Sequence, residues 1–130
     1  MHRLLPFAAP VIVVAAAVAP AQAATLKPFD QKAFAAAQAA GKPILVEVHA
    51  PWCPICRAQG KAIAKLTANG AHKDLVIFRI DYDTQKPLWQ RFGAQKQSTL
   101  IAFRGKRETD RVSYQSDERR IAVLLAATRG

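Results

Sequence analysis

Cysteine is almost missing from this chain. Its 130 residues contain two, Cys53 and Cys56, separated by Pro54 and Ile55. A structural zinc centre takes four ligands, commonly two Cys pairs or Cys with His, and only one pair exists here. Covalent haem attachment needs His directly after the second cysteine, where Arg57 stands. As a structural staple the pair is weak, because a bridge closing so short a loop removes little entropy from the unfolded chain.

Acidic residues are also scarce: nine Asp and Glu stand against nineteen Lys and Arg, a formal charge of +10. Such an excess can serve nucleic acid, anionic membranes or acidic partners. Here the basic residues are scattered from Lys61 and Lys65 to Arg119 and Arg120, and no ladder of aromatics accompanies them. A solvated basic surface is the expectation, with no nucleic-acid role. Long hydrophobic runs are lacking too. The one extended apolar stretch, Leu4 to Ala19, is interrupted by Pro6 and Pro10 and falls short of the roughly 20 residues of a spanning helix. It follows the basic start His2-Arg3 and precedes Ala21-Gln22-Ala23. Basic, apolar and small-residue segments in that order are the signature of a secretory signal peptide. Residues 1–23 are therefore expected to be a cleaved leader and residues 24–130 a single domain, exported and free of stable membrane insertion. In a bacterium the destination is the periplasm, where disulfides persist.

Within that domain, Thr25–Phe29 reads as a short edge strand. Asp30 caps a helix running to about Ala40, closed by Gly41. Pro43–Ala50 contains Ile-Leu-Val-Glu-Val, a buried central strand holding one acid. Cys53 to about Asn69 is helical, with Ile55, Ala58, Ala62, Ile63 and Leu66 along one side, and Asn69-Gly70 stops it. A second buried strand covers Leu75–Ile80, and a short helix Lys86–Phe92. Strands at Thr99–Phe103 and Arg107–Tyr114 flank the turn Arg104-Gly105-Lys106. Ser116 is the expected cap of a last helix, Asp117–Thr128. Strands alternate with helices until a hairpin closes the sheet, so the fold class is α/β with a mixed sheet covered on both faces. No repeats, low-complexity tracts or internal linkers interrupt it.

This order places Cys53 where a buried strand passes into a helix. The free N–H groups and dipole of a helix N-terminus favour an anion. A thiolate there has a lowered pKa and is the better nucleophile. Cys56, one turn on, is positioned to attack a mixed disulfide formed at Cys53. Pro54 suits the first helical turn, and Trp52 offers an apolar surface beside the sulfurs.

The stretch Ile44-Leu45-Val46-Glu47-Val48-His49-Ala50-Pro51-Trp52-Cys53-Pro54-Ile55-Cys56-Arg57, then Val76–Asp81, then Phe92–Gly105, resembles the thioredoxin-like superfamily over nearly the whole mature chain. The resemblance implies a thioredoxin-like fold and thiol–disulfide exchange. It makes Cys53 the nucleophile, Cys56 the resolving cysteine, and Glu47 the buried acid that assists proton transfer at the resolving thiol. An acid desolvated inside an apolar strand suits a general base; the other reading of Glu47 is a structural ion pair. Arg79 falls where thioredoxins carry a lysine near that acid. No organic cofactor is implied. Expected partners are proteins bearing disulfides or thiols, and an inner-membrane thiol reductant that supplies electrons to a monomer.

The departures from that family are informative. Ser98, followed by Thr99, takes the place of a cis-proline facing the sulfurs. Without proline a cis bond costs about 2.5–4 kcal/mol, so the Gln97–Ser98 bond is expected to be trans, letting a hydroxyl face the sulfurs. His49 replaces an aromatic residue, Lys61 replaces a kinking proline, and Pro-Ile stands between the cysteines. A proline directly after the nucleophile is similar to glutaredoxins and the periplasmic oxidants, but the large helical insert of those oxidants is absent, which favours a reductant. His49 has two readings: a pH-sensitive neighbour of Cys53, or a core histidine facing the wrong side of the sheet; alternation puts it on the same face as Glu47. The rival function is a metal carrier in which the Cys pair and His49 hold copper or zinc.

Overall fold

The structure, a computed structural model, describes residues 10–19 and 23–130. The expected leader lies largely on residues 1–9 and 20–22, outside the described residues. Residues 10–19 form neither helix nor strand, and Val11, Ile12, Val13, Val14 and Val18 are exposed rather than packed on the core. Among the described residues no helix is long and apolar enough to cross a membrane.

The elements run β1 (Thr25–Pro28), α1 (Gln31–Ala39), β2 (Pro43–His49), α2 (Pro54–Thr67), β3 (Val76–Asp81), α3 (Lys86–Arg91), β4 (Thr99–Arg104), β5 (Arg107–Ser113) and α4 (Glu118–Ala127). The sheet order is β1-β3-β2-β4-β5. β3 is parallel to both β1 and β2, while β4 is antiparallel to β2 and to β5. The apolar run of β2 thus becomes the central strand, and its alternation divides the core. Ile44, Val46 and Val48 face Phe34 and Ala37 of α1 and Trp89 of α3. Leu45 faces the other way, toward Ala62 and Ile63 of α2 and Ile121, Leu124 and Leu125 of α4. Alternation puts Glu47 on that second face, beneath α2. On the first face Phe29, Phe34, Phe78, Phe92 and Phe103 form an aromatic cluster with ring centroids 5.3 to 6.2 Å apart, mostly edge-on, a geometry that adds about 0.5–1.5 kcal/mol per pair beyond burial.

Two expectations need correction. The cap of α4 is Asp117, whose carboxylate accepts from the Arg120 N–H at 2.9 Å, and not Ser116; the helix starts one residue later, at Glu118, so the residue at the junction takes the orphan donor. The buried face of α2 is Cys56, Gln59, Ala62, Ile63 and Thr67, with Ala58 exposed. Cys56 fixes the helix rotation, and its successors at helical spacing follow it inward. The β4–β5 turn depends on Gly105, at φ +57°, where an added Cβ would stand 3.2 Å from the Gln38 carbonyl oxygen and the Gly41 Cα.

Candidate active site

The site sits where β2 ends. Ala50 is fully buried, and its carbonyl accepts the Cys53 N–H at 3.2 Å, closing a turn that leaves Pro51 and Trp52 exposed. Pro54 then opens α2 at a position whose N–H would have no helical partner in any case. Cys53 is the N-cap: its Sγ accepts the Cys56 N–H at 3.1 Å. Arg57 donates to the Pro51 carbonyl at 3.1 Å and braces the turn.

Both sulfurs are covered, with Cys53 only 2% and Cys56 3% exposed, and both thiols are free. Burial of Cys53 opposes its ionisation, but hydrogen bonds from the Cys56 thiol, the Ser98 hydroxyl and the backbone N–H groups of Cys56 and Ile55 outweigh it and hold the thiol below its ordinary pKa. Burial pushes the Cys56 thiol up, and its bond to Cys53 pushes it further; the Ser98 hydroxyl and the Ala50 backbone offset only part of this. The two thiols are thus shifted in opposite directions, Cys53 toward the thiolate and Cys56 toward the protonated thiol.

Ser98 lies between them. Among the described residues no peptide bond is cis, so the bond preceding Ser98 is trans as expected, and Ser98 adopts φ +63°. Its Oγ is 3.0 Å from Cys53 Sγ and 3.2 Å from Cys56 Sγ. Its N–H donates to the Val48 carbonyl at 2.9 Å, and its own carbonyl accepts from Tyr114 N–H at 3.2 Å and from Gln59 Nε2 at 3.0 Å. Gln59 also donates to the Gln115 carbonyl at 2.8 Å, clamping two loops to α2. Sequence reasoning missed Gln59; its signal was a polar residue one turn beyond Cys56 on the inward face. Thr99 turns away from the sulfurs, its hydroxyl donating to the Lys96 carbonyl at 2.9 Å.

Trp52 stands at the rim, half exposed, its indole N–H shared by the two Asp83 carboxylate oxygens at 3.1 and 3.0 Å. Its ring meets Tyr82 edge-on, and Tyr82 stacks on Trp89 at 5.1 Å. Glu47 is buried and bonded to Arg79, its cross-strand partner in the β2–β3 register. It lines a cavity of about 190 Å³ with Gly60, Ile63, Ala64 and Thr67 of α2. His49 lines a separate cavity of about 370 Å³ with Leu26, Pro51, Arg79 and Asp81. Burial and then Arg79 lower its pKa against the opposing pull of Glu47 and Asp81, so it is neutral at pH 7. The structure therefore joins His49 to the Glu47–Arg79 pair. Among the described residues no group of three or more His, Cys, Asp and Glu comes close enough to hold a metal ion, so no third ligand of these types joins the sulfurs.

A cysteine capping a helix with its ionisation favoured, a second cysteine one turn later with its ionisation opposed, and a mixed α/β sheet behind them define a thiol–disulfide oxidoreductase. The chain belongs to the thioredoxin family, whose family model, described as Thioredoxin, matches residues 25–127. A thioredoxin H-type from Brassica oleracea is 31% identical over 90 residues, covering 69% of this chain and 72% of that one. The protein disulfide-isomerase erp38 of Neurospora crassa is 44% identical over 70 residues, which are 52% of this chain but 19% of the isomerase. Among solved structures, Trxlp from Edwardsiella tarda superposes with a TM-score of 0.74 at 38% identity, covering 78% of this chain and 98% of its own. Thioredoxin from Malassezia sympodialis shares the fold, with a TM-score of 0.68 at 18% identity over 83% of this chain and 95% of its own.

Proposed function

We propose that the chain is exported to the periplasm and there reduces disulfides of protein substrates as a monomer, drawing electrons from a thiol reductant in the inner membrane. The feature that carries the chemistry is a pair of thiols one helical turn apart, Cys53 capping the helix, with their pKa values shifted in opposite directions. The Cys53 thiolate attacks a substrate disulfide, forming a bond to one substrate sulfur and releasing the other as a thiol after it takes up a proton. Cys56, deprotonated, attacks Cys53 and releases the second substrate sulfur as a thiolate; the substrate gains two electrons and the Cys53–Cys56 disulfide holds the oxidised equivalent. Trp52 supplies the apolar landing surface, and Glu47, with Arg79 compensating its charge, assists the departure of the Cys56 proton. The direct connection of α2 to β3 through residues 68–75 supports the reducing direction, since the helical insert of the periplasmic oxidants is missing there.

Equilibration of the pair against glutathione tests this directly. A potential near that of reducing members of the family, about −270 mV, is expected; a potential near about −120 mV would reverse the direction. Export is checked by fractionating an expressing bacterium and sequencing the N-terminus of the product: a periplasmic chain beginning at Ala24 is expected, and an unprocessed cytoplasmic chain would remove that part of the proposal.

A further inference from the structure

The Ser98 hydroxyl bridges the two thiols at 3.0 and 3.2 Å. A serine hydroxyl has one proton to donate and lone pairs to accept with. With Cys53 as the attacking thiolate, one arrangement of these bonds carries a proton between the sulfurs: Cys56 S–H to Ser98 Oγ, and Ser98 O–H to Cys53 Sγ. Ser98 has no exposed surface, and both sulfurs are nearly closed off, so bulk water is a poor proton source at this point. The hydroxyl is also fixed in place. The Ser98 N–H is held by Val48 and its carbonyl by Gln59 and Tyr114, and these bonds keep a non-glycine residue at φ +63°, a conformation that persists where its surroundings over-determine it. The neighbouring charges are engaged elsewhere: Glu47 of β2 with Arg79 of β3, Asp83 of the β3–α3 loop with Trp52, Arg57 of α2 with the Pro51 carbonyl, and Lys96 over the Tyr114 ring.

We propose that Ser98 is a catalytic proton relay between Cys56 and the leaving group of the substrate. The inference rests on the thiol–disulfide exchange reading and adds a route for the proton. As the Cys53 thiolate bonds to one substrate sulfur, the other leaves as a thiolate beside the freed Ser98 O–H. The hydroxyl gives it that proton and takes the proton of Cys56 in the same motion. The products are a substrate thiol, an unchanged serine and a Cys56 thiolate ready to attack Cys53. Two protons shift together for a net transfer of one, no net charge is created, and the nucleophile of the second step arises from the first. Ser98 acts on this proton by contact.

The test compares two disulfides in single-turnover reactions of the reduced full chain. Dithiobis(nitrobenzoic acid) releases an aromatic thiolate that needs no proton, whereas oxidised glutathione releases an alkyl thiolate that does. Ser98→Gly removes the hydroxyl and suits the left-handed backbone. It is expected to lower the ratio of the glutathione rate to the aromatic rate by about a hundredfold, the low end of the range general acid catalysis contributes. A loss of thiolate at Cys53 slows both reactions alike and cancels in the ratio. An unchanged ratio overturns the relay. A second measurement needs no variant: in the unaltered chain a solvent deuterium isotope effect should be larger with oxidised glutathione than with the aromatic disulfide, and equal effects would also overturn it. Failure of the unaltered chain to exchange with either disulfide would instead remove the exchange reading, and the relay with it.

Discussion

The N-termini of α1 and α2 are closed by the same device made from different atoms. At α1 the Asp30 carboxylate accepts the Ala33 N–H at 2.7 Å; at α2 the Cys53 sulfur accepts the Cys56 N–H at 3.1 Å. Both caps have extended backbone, φ −133° and −86°, and both satisfy a donor that the helix leaves orphaned. The carboxylate's bond does nothing but stabilise the helix. A thiol is mostly neutral at pH 7, so the same N–H favours one protonation state over the other. What is stability at α1 becomes reactivity at α2.

The sharpest way to separate the two is Cys53→Ser. Serine is itself a good cap, so the fold should survive with stability changed by less than about 1 kcal/mol, while reduction of disulfides falls to background. Cys56→Ser should still attack, and should accumulate a mixed disulfide detectable by mass spectrometry. Next in size is the pH profile of alkylation of the reduced chain. Since Cys53 sits below the ordinary thiol pKa, its rate should rise at lower pH than that of an ordinary thiol, with Cys56 reacting at higher pH. A single inflection at the ordinary thiol value would erase the distinction between the two caps. Asp30→Ala should cost about 1 kcal/mol in chemical denaturation and leave the exchange rate unchanged.

The smallest effect belongs to Asp110, a group shifted without any reactivity. Its carboxylate takes two bonds from Arg120, at 2.6 and 2.7 Å, tying β5 to α4. Bonding to Arg120 holds it below the usual carboxylate range despite some burial. A depressed acid stabilises the fold above its unfolded pKa of about 4 and ceases to do so as the pH falls through its folded value. Asp110→Asn should therefore destabilise by up to about 1 kcal/mol at pH 7, and the difference should vanish in strong acid.

Most of the architecture was legible because this chain marks its boundaries with strong local signals. Ile-Leu-Val-Glu-Val and Val-Ile-Phe-Arg-Ile became adjacent buried strands, and Asp30 capped the helix expected of it. The cysteines were legible because Pro51 and Pro54 mark the strand end and the helix start. The missed features depend on long-range contacts. Gln59 is polar, and only the arrival of the Ser98 and Gln115 carbonyls makes its inward position favourable. The trans bond at Ser98 followed from the missing proline. The bridging of both sulfurs did not, because it depends on a left-handed turn held by residues 39 and 16 positions away, Gln59 and Tyr114. His49 was ambiguous because alternation assigns a face without saying which neighbours share it.

The two outer strands bear on how this chain behaves in a crowd of its own copies. β1 is only four residues long and ends in Pro28, which has no N–H to offer. β5 is irregular where Ala102 and Phe103 face it and carries Arg107, Glu108, Asp110 and Arg111 along its length. Open sheet margins recruit further strands when they are long, flat and apolar. Here one margin is too short and the other bent and charged, so the sheet gives a growing fibril little to template on.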